Sequence, residues 1–591
     1  MSGKHQTTIA RLCAACAFSA LIVGSSHARA DETTNALLDL LKSKGAITQT
    51  EYDKIKARQQ AEAKDSAQKL QAAETRAREA EAKAREAEAK ASEAEAKAQS
   101  DSAEVAKVKA QTLTAADMAI PSKMPPKAPV EYVTALTKCV GIRVNQVDIC
   151  IKGDISFFGV EQWPDQNPPL STHGNVIPVS GGLATAGNNP SNSVRGGLLP
   201  SSIQVGISTN QMGWDVGVYF GAYIGGNNID WGFSGANSTG SPFSLGTAGI
   251  DFRQVFGTIG TPSFGTVKIG RDIGIFASDA ILNDLTLFGV GTPAGNLHPT
   301  NTTLGRIGIG YIYTDFIPQI TYKSPTWGGF TFWLSAMQPA DELNFSGDPL
   351  SGNMTGHDTP MGQAKIQYVG TWSPDLKLTL STSGVVQHQQ AECLAPTPAL
   401  GAFPFSSQCI AALAGTGLNT IVPGSHSDVT AWAVDGFAML DVWGFNFVAY
   451  GYTGKGVGTT GLFFDGVDVF GNARDSSGGY FQAAYTFKGG WWLGWLPNPL
   501  TVGASWGVSH LETTGFTNQA EIANCNASVI APLGAATSCL VRDNESWIGF
   551  ARYNLTDWVK LQAEYIHTTA ENQIGIKIKD DAVAVGTTFF W

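Results

Sequence analysis

From residue 131 to its end the chain alternates apolar and polar side chains with a period of two. Lys377, Thr379 and Ser381 alternate with Leu376, Leu378 and Leu380; Lys560, Gln562 and Glu564 alternate with Val559, Leu561 and Ala563; Lys365 and Gln367 alternate with Ala364, Ile366 and Tyr368. A membrane-crossing helix needs roughly 18 continuous apolar residues, and beyond the first 30 positions no segment reaches that length. Period two sorts apolar and polar groups onto opposite faces of a strand. Such strands can meet lipid on one side and water on the other. In a bilayer every backbone group must then be paired, which demands a closed barrel.

The connections are as informative as the strands. Short turns (QMGW, TPSFG, SPTWG, SPD, VWG, NLTD) alternate with loops mostly 15 to 40 residues long. A soluble β-sandwich could give the alternation of faces, but it has no reason to lengthen every second loop. Sixteen strand starts are predicted: near Cys150, Ser202, Asp215, Ile250, Gly265 and Gly308, then ten more as far as Asp581. The fold class expected is an all-β transmembrane barrel of sixteen antiparallel strands over residues 131–591. The 67 glycines and a charged fraction of only 15 % suit Gly-punctuated strands. A net charge of −11 argues against nucleic acid as a partner.

The first 130 residues read differently. Lys4 and Arg11 precede the apolar run 12–24, and Ala28-Arg29-Ala30 forms an A-x-A site, so residues 1–30 are predicted to be a signal peptide cleaved after Ala30. Residues 31–58 carry a predicted helical hairpin, with Gly45 stopping one helix and Thr48 or Thr50 capping the next. In 59–111 alanines recur at alternating spacings of four and three, from Ala73 through Ala77, Ala80 and Ala84 to Ala98. Glu79–Lys83, Glu81–Arg85, Glu86–Lys90 and Glu93–Lys97 pair at i, i+4. This predicts an α-helical coiled coil about 78 Å long; a lone Ala-rich solvated helix is the alternative reading. Residues 112–130, rich in proline, form a stiff linker.

Removing the signal leaves Cys139 and Cys150, Cys393 and Cys409, Cys525 and Cys539. An even count in an exported chain reads as disulfides, and pairing of sequence neighbours is expected among the fifteen formal connectivities. Zinc would need tighter spacing and nearby histidines, so no metal and no cofactor is expected.

Pro129, Val130, Glu131, Tyr132 and Val133, then Cys139, then Cys150-Ile151-Lys152-Gly153 resemble the start of the barrel in porins of rhizobia and related alphaproteobacteria. The aromatic-rich stretch those porins carry between the two cysteines is missing here. Phe264, Gly265, Gly270 and Arg271 match the FG-x-x-x-x-GR strand that precedes the long third loop of general trimeric porins. As architecture the resemblance covers 128–591. It implies a homotrimer in the Gram-negative outer membrane, with a third loop folded into the lumen and Arg271 on the constriction wall. The terminal DDAVAVGTTFFW, ending at Trp591, resembles the signal read by barrel-assembly machinery. By the same topology the coil is periplasmic, Cys393–Cys409 and Cys525–Cys539 lie in the fifth and seventh external loops, and Trp491, Trp492 and Trp495 sit in an aromatic girdle.

Strict alternation from Val267 sends Arg271 outward, so a bulge at Gly270 is required to turn it into the lumen. Arg253 and Arg306, placed on neighbouring strands, are further candidates, as is Lys268; Asp279 and Asp284 are expected to oppose them across the constriction. The plain alternatives are solvated loop charges for the two acids and solvated lumen residues for Lys152, Lys268 and Lys377. No nucleophile elbow or phosphate loop is present, so no enzyme is expected. The expected function is passive diffusion of small hydrophilic solutes and ions. A structural tether from the outer membrane to peptidoglycan through the coil is the alternative; an adhesin is disfavoured because one chain supplies all the strands.

Overall fold

The computed structural model describes residues 42, 44, 53, 54, 56, 133–136, 139–186, 189–227, 250–292, 302–392, 409–411, 419–421, 425–488, 497–532, 534–535 and 537–591. The chain divides into two units, 1–128 and 129–591. The signal peptide, the hairpin but for five residues, the coiled coil and the linker lie outside the described residues, as do Cys393 and the Trp491–Trp495 cluster.

The second unit opens with β1 (Val133–Ala135), β2 (Val140–Val144), β3 (Val147–Pro164), β4 (Ser191–Arg195), β5 (Ser201–Gln211), β6 (Trp214–Ile224), β7 (Ile250–Thr261) and β8 (Gly265–Ile273). It continues with β9 (Phe316–Lys323), β10 (Phe330–Met337), β11 (Met361–Ser373), β12 (Leu376–Gln390), β13 (Cys409–Ala411), β14 (Asn419–Ile421), β15 (Asp428–Val442) and β16 (Phe445–Lys455). It ends with β17 (Asp475–Phe487), β18 (Leu500–Leu511), β19 (Val541–Asn554), β20 (Val559–Asn572) and β21 (Lys577–Phe590). Sixteen of these form a closed antiparallel barrel: β3, β5 to β12 and β15 to β21. Each pairs with the next, and β21 closes on β3 from Phe590↔Asp154 to Asp580↔Pro164.

Two-residue turns fix the register at one end. Met212-Gly213 (φ 52° and 85°) joins β5 to β6, and Trp443-Gly444 (φ 47° and 91°) joins β15 to β16. Positive φ at both positions matches the twist of a tight hairpin. The sixth strand begins at Phe316, not near Gly308. The IGIGYIY alternation imitates a strand, but Gly305, Gly308 and Gly310 sit at φ 57°, 79° and 105°, and Ile307, Ile309, Tyr311 and Ile312 are all buried.

The outer face is apolar: Ile269, Ile320, Leu334 and Val585 are each more than half exposed. Trp214, Trp327, Trp372, Trp443 and Trp558 ring the short-turn end, as an interfacial girdle does. The core lies inside the barrel and to one side. There Phe276, Ala280, Ile281, Tyr311 and Ile312 of the segment after β8 pack on Met361, Phe437, Tyr450 and Tyr480 of the wall. That segment holds α1 (Ser278–Asn283) and a 3-10 turn (Leu285–Phe288); α2 (Asn518–Val529) lies in the loop after β18.

Candidate functional site

The segment 274–315 leaves the wall through a narrow neck. Gly274 donates its N–H to the Asp315 carbonyl at 2.9 Å, and a Cβ at Gly274 would meet Thr314 at 2.5 Å. Beyond the neck the loop crosses the lumen and is bonded to the far wall. The N–H groups of Ile275 and Phe276 both donate to Gln363 Oε1 on β11 (2.7 and 2.9 Å), and that of Ala277 to Asp435 on β15 (3.0 Å). Tyr480 on β17 donates to the Ala280 carbonyl (2.7 Å), and Leu285 N–H to Gln482 (2.8 Å). Val290 and Gly291 donate to Glu564 on β20 (2.9 and 3.2 Å), and Gly310 to Ser509 on β18 (2.8 Å). A lumen loop has many backbone groups out of reach of bulk water, and inward side chains of the wall satisfy them.

Two predicted acids belong to this pinning. Asp279 accepts from Lys365 Nζ at 3.0 Å, Gln367 at 3.1 Å and Ser381 at 2.6 Å, on β11 and β12. Asp284 caps the 3-10 turn through Thr286 N–H (2.8 Å) and accepts from the Tyr311 hydroxyl at 3.0 Å. Both are buried, so neither opposes an arginine across open water.

The predicted cations scatter. Arg271 lies on the outer face, between Val255 and Pro318, and is exposed. The ladders run unbroken through Gly270 (Phe256↔Gly270 and Gly270↔Gln319), so no bulge re-aims it and strict alternation holds. A Cβ at Gly270 would lie 2.3 Å from the Val255 carbonyl oxygen, which accounts for the glycine without any turn of Arg271. Arg306 is in the loop rather than on a strand. It is fully buried, its guanidinium 5.9 Å from the Tyr480 ring, and its nitrogens make no hydrogen bond among the described residues. Asp284 and Glu564 are the acids whose fields reach it.

Lys268 does face inward, ion-paired with Asp272 at i+4 and 5.4 Å from the Phe256 ring. Arg253 faces inward because of an irregularity one hairpin away from the predicted one. The β6–β7 register slips between Gly221↔Gln254 and Ala222↔Phe252, leaving Arg253 unpaired in the ladder. Its Nε donates to Asp251 at 3.0 Å, and its guanidinium carbon lies 5.1 Å from the Tyr223 ring and 6.0 Å from Phe316. Lys152 and Lys377 sit on the inner face, register-paired with Gln204 and Thr371.

Between the loop and the wall of β6, β7 and β9 there is a cavity of about 310 Å³. Leu282 and Leu287 of the loop face Tyr223, Arg253 and Phe316 of the wall, with Phe464 above. Among the described residues Arg253 is its one charged lining residue.

Sequence reasoning missed Gln363, Asp435, Gln482 and Glu564, which hold the loop. All have lumen-facing parity, but that face is polar everywhere, so parity does not set them apart. Asp272 carried a usable signal, since residues four apart in a strand share a face. Cys139–Cys150 and Cys525–Cys539 are bonded, with Cα atoms 5.8 and 4.6 Å apart. Among the described residues no three His, Cys, Asp or Glu side chains converge to hold a metal ion.

No protein-family model and no curated relative matches the chain. Among solved structures, the outer-membrane channel DcaP of Acinetobacter baumannii is similar over 76 % of this chain and 98 % of its own, at 14 % identity and TM-score 0.48. An anion-selective porin from Comamonas acidovorans covers 76 % and 100 % at 11 % identity and TM-score 0.41. OmpF of Salmonella typhi, in complex with daunomycin, covers 76 % and 100 % at 12 % and 0.39. Likenesses this distant say nothing of what passes through this barrel, which its own residues must decide.

Proposed function

We propose that this protein is an outer-membrane porin for passive diffusion of small hydrophilic solutes and ions, oriented with its short turns and N-terminal segment in the periplasm. The observation that carries this is the inward loop. A closed barrel with an apolar exterior spans lipid, and a loop pinned to the wall of β11 to β20, and at Gly289 and Thr303 to the Gly197–Leu198 backbone ahead of β5, narrows the lumen without needing to seal it. The constriction then runs between the free side of that loop and the wall of β5 to β9. The charges beside it are the Arg253–Asp251 and Lys268–Asp272 pairs, with Lys323 beyond them at 5.4 Å from the Trp333 ring. Asp279 and Asp284 act one step back, by holding the loop.

Single-channel recording in planar bilayers tests this. Arg253→Gln/Lys268→Gln is expected to move the reversal potential in a salt gradient towards cation preference. Asp279→Asn/Asp284→Asn is expected to give noisier, larger steps with little change in selectivity. A folded protein that never conducts overturns the channel reading.

A homotrimer assembled through the outer face, with insertion guided by β21 and the Trp591 that follows it, belongs to the same proposal; steps in groups of three would support it. The alanine seam of 59–111 favours a second role, a tether to peptidoglycan. Deleting 59–111 should then abolish cell-wall pull-down and leave conductance intact.

A further inference from the structure

We propose that the cavity beside Arg253 is a solute subsite selective for small amphiphilic carboxylates, with an aromatic or branched apolar body and one anionic end. This deepens the channel reading and rests on it. A water-filled porin constriction should be polar throughout, yet this stretch is not. Leu282 is 57 % exposed on the free face of α1, and Leu287, Tyr223, Phe316 and Phe464 surround the same space. Its volume, about 310 Å³, falls at the low end of the roughly 300–1,000 Å³ of small-molecule sites. Water against such walls lacks partners, and an apolar body that displaces it is stabilised in proportion to the area covered.

The polar end is fixed by one group. Arg253 uses Nε for Asp251, and among the described residues its two Nη groups make no hydrogen bond. The rings of Tyr223 and Phe316, themselves 5.9 Å apart, lie together on one side of the guanidinium and back it with an apolar wall. A planar donor fork held in this way suits a carboxylate, which can accept two parallel N–H groups. A cationic solute would meet that guanidinium, and a fully polar one would leave the leucine and phenylalanine surfaces wet. Asp251 has opposing effects: it orients the fork, and its charge repels an incoming anion.

The test uses the full-length protein in lipid nanodiscs and in planar bilayers, with 3-phenylpropionate, acetate and benzyl alcohol as probes. Calorimetric titration in nanodiscs reads binding apart from conduction, and block of the ionic current reads it in the open channel. Phenylpropionate is expected to bind and to block at concentrations at least tenfold below acetate or benzyl alcohol. Arg253→Gln should erase that advantage over benzyl alcohol, and Leu282→Asn, at an exposed position that need not fold differently, should erase the advantage over acetate. Asp251→Asn should tighten phenylpropionate several-fold. A conducting channel that treats phenylpropionate and acetate alike, or a Leu282→Asn variant that binds phenylpropionate unchanged, overturns the subsite while leaving the porin standing. Absence of conductance with binding intact overturns the porin and not the site.

Discussion

Asp279 shows how a residue can matter to a channel without facing the solute. Three donors from two wall strands converge on its carboxylate, and Lys365 is the charged one. Replacing it with asparagine leaves a nearly buried ammonium beside a neutral amide and forces one donor to face another. The expected cost is about 2–4 kcal/mol, taken from loop attachment. It should appear as a lower urea midpoint for protease protection of 274–315, with the barrel itself intact; equal protection in the variant would remove Asp279 from the anchoring set. Arg271 is the contrast. Facing outward between Val255 and Pro318, its change to Gln should leave the reversal potential where it was. A shift of several millivolts would return it to the lumen.

At the scale of elements, the strands were legible in the sequence and an inward third loop was implied by the FG-x-x-x-x-GR resemblance, but the return segment of that loop was not legible. Leu376 to Ser381 or Val559 to Glu564 alternates because one face meets lipid, a constraint repeated at every strand. The segment 302–315 obeys no such constraint. It carries IGIGYIY because both of its faces are covered, one by the wall and one by the loop, and glycines at positive φ bend it. Sequence alternation cannot separate that from a strand, so Arg306 was misplaced with it. The site was less legible than the fold for the same reason. The alternation correctly sends Lys268 inward and Arg271 outward, but the slip that exposes Arg253 to the cavity depends on β6 and β7 pairing out of step.

The long external loops carry a prediction of their own. Loops 338–360, 456–474 and 512–540 meet around the buried Arg474, which donates to Glu521 at 3.3 Å, to Ser351 at 2.7 Å and to the carbonyls of Leu350 and Asp465. Glu342, Asp348 and Asp465 are buried around it; the charge of Arg474 reaches Glu342, Asp465 and Glu521, and Asp348 lies beside Glu521. Burial pushes Glu342 well up and Asp465 up. Burial, with the charge of Asp348 adding and Arg474 opposing, pushes Glu521 up to about 8. Folded Glu521 holds a proton that an unfolded chain releases near 4.5. Its contribution to stability is therefore complete below that value and is lost as pH rises through about 8, and the raised Glu342 and Asp465 act in the same direction. Gly466, whose N–H donates to Glu342 at 2.6 Å, reports on it. Its amide exchange, corrected for the intrinsic pH dependence, should speed up between pH 5 and pH 9. A corrected rate that stays flat would mean that the loops are held without those protons.

For the whole molecule the weak point is the seam. β21 ends the barrel, and Trp591 exchanges backbone hydrogen bonds with Gly153 (3.1 and 3.2 Å), but β3 continues past it towards the short-turn end. There β2 takes over the same edge of β3, from Val140↔Ile151 to Val144↔Val147, with β1 on its outer side. The final stave of the wall is thus two pieces laid end to end, and the lower one is a short strand that a sheet edge alone would hold weakly. The Cys139–Cys150 bond ties the start of β2 to β3 across that joint. By limiting the unfolded chain over so short a loop it should contribute about 3 kcal/mol. Cys139→Ser/Cys150→Ser is expected to lower the temperature at which the barrel loses its compact gel mobility by several degrees. The inward loop is tied to β11, β12, β15, β17, β18 and β20 rather than to the β2–β3 joint, so conductance should not change. A variant as heat-resistant as the parent would mean that β2 holds the seam by its ladder alone, and one that conducts differently would place the joint within reach of the constriction.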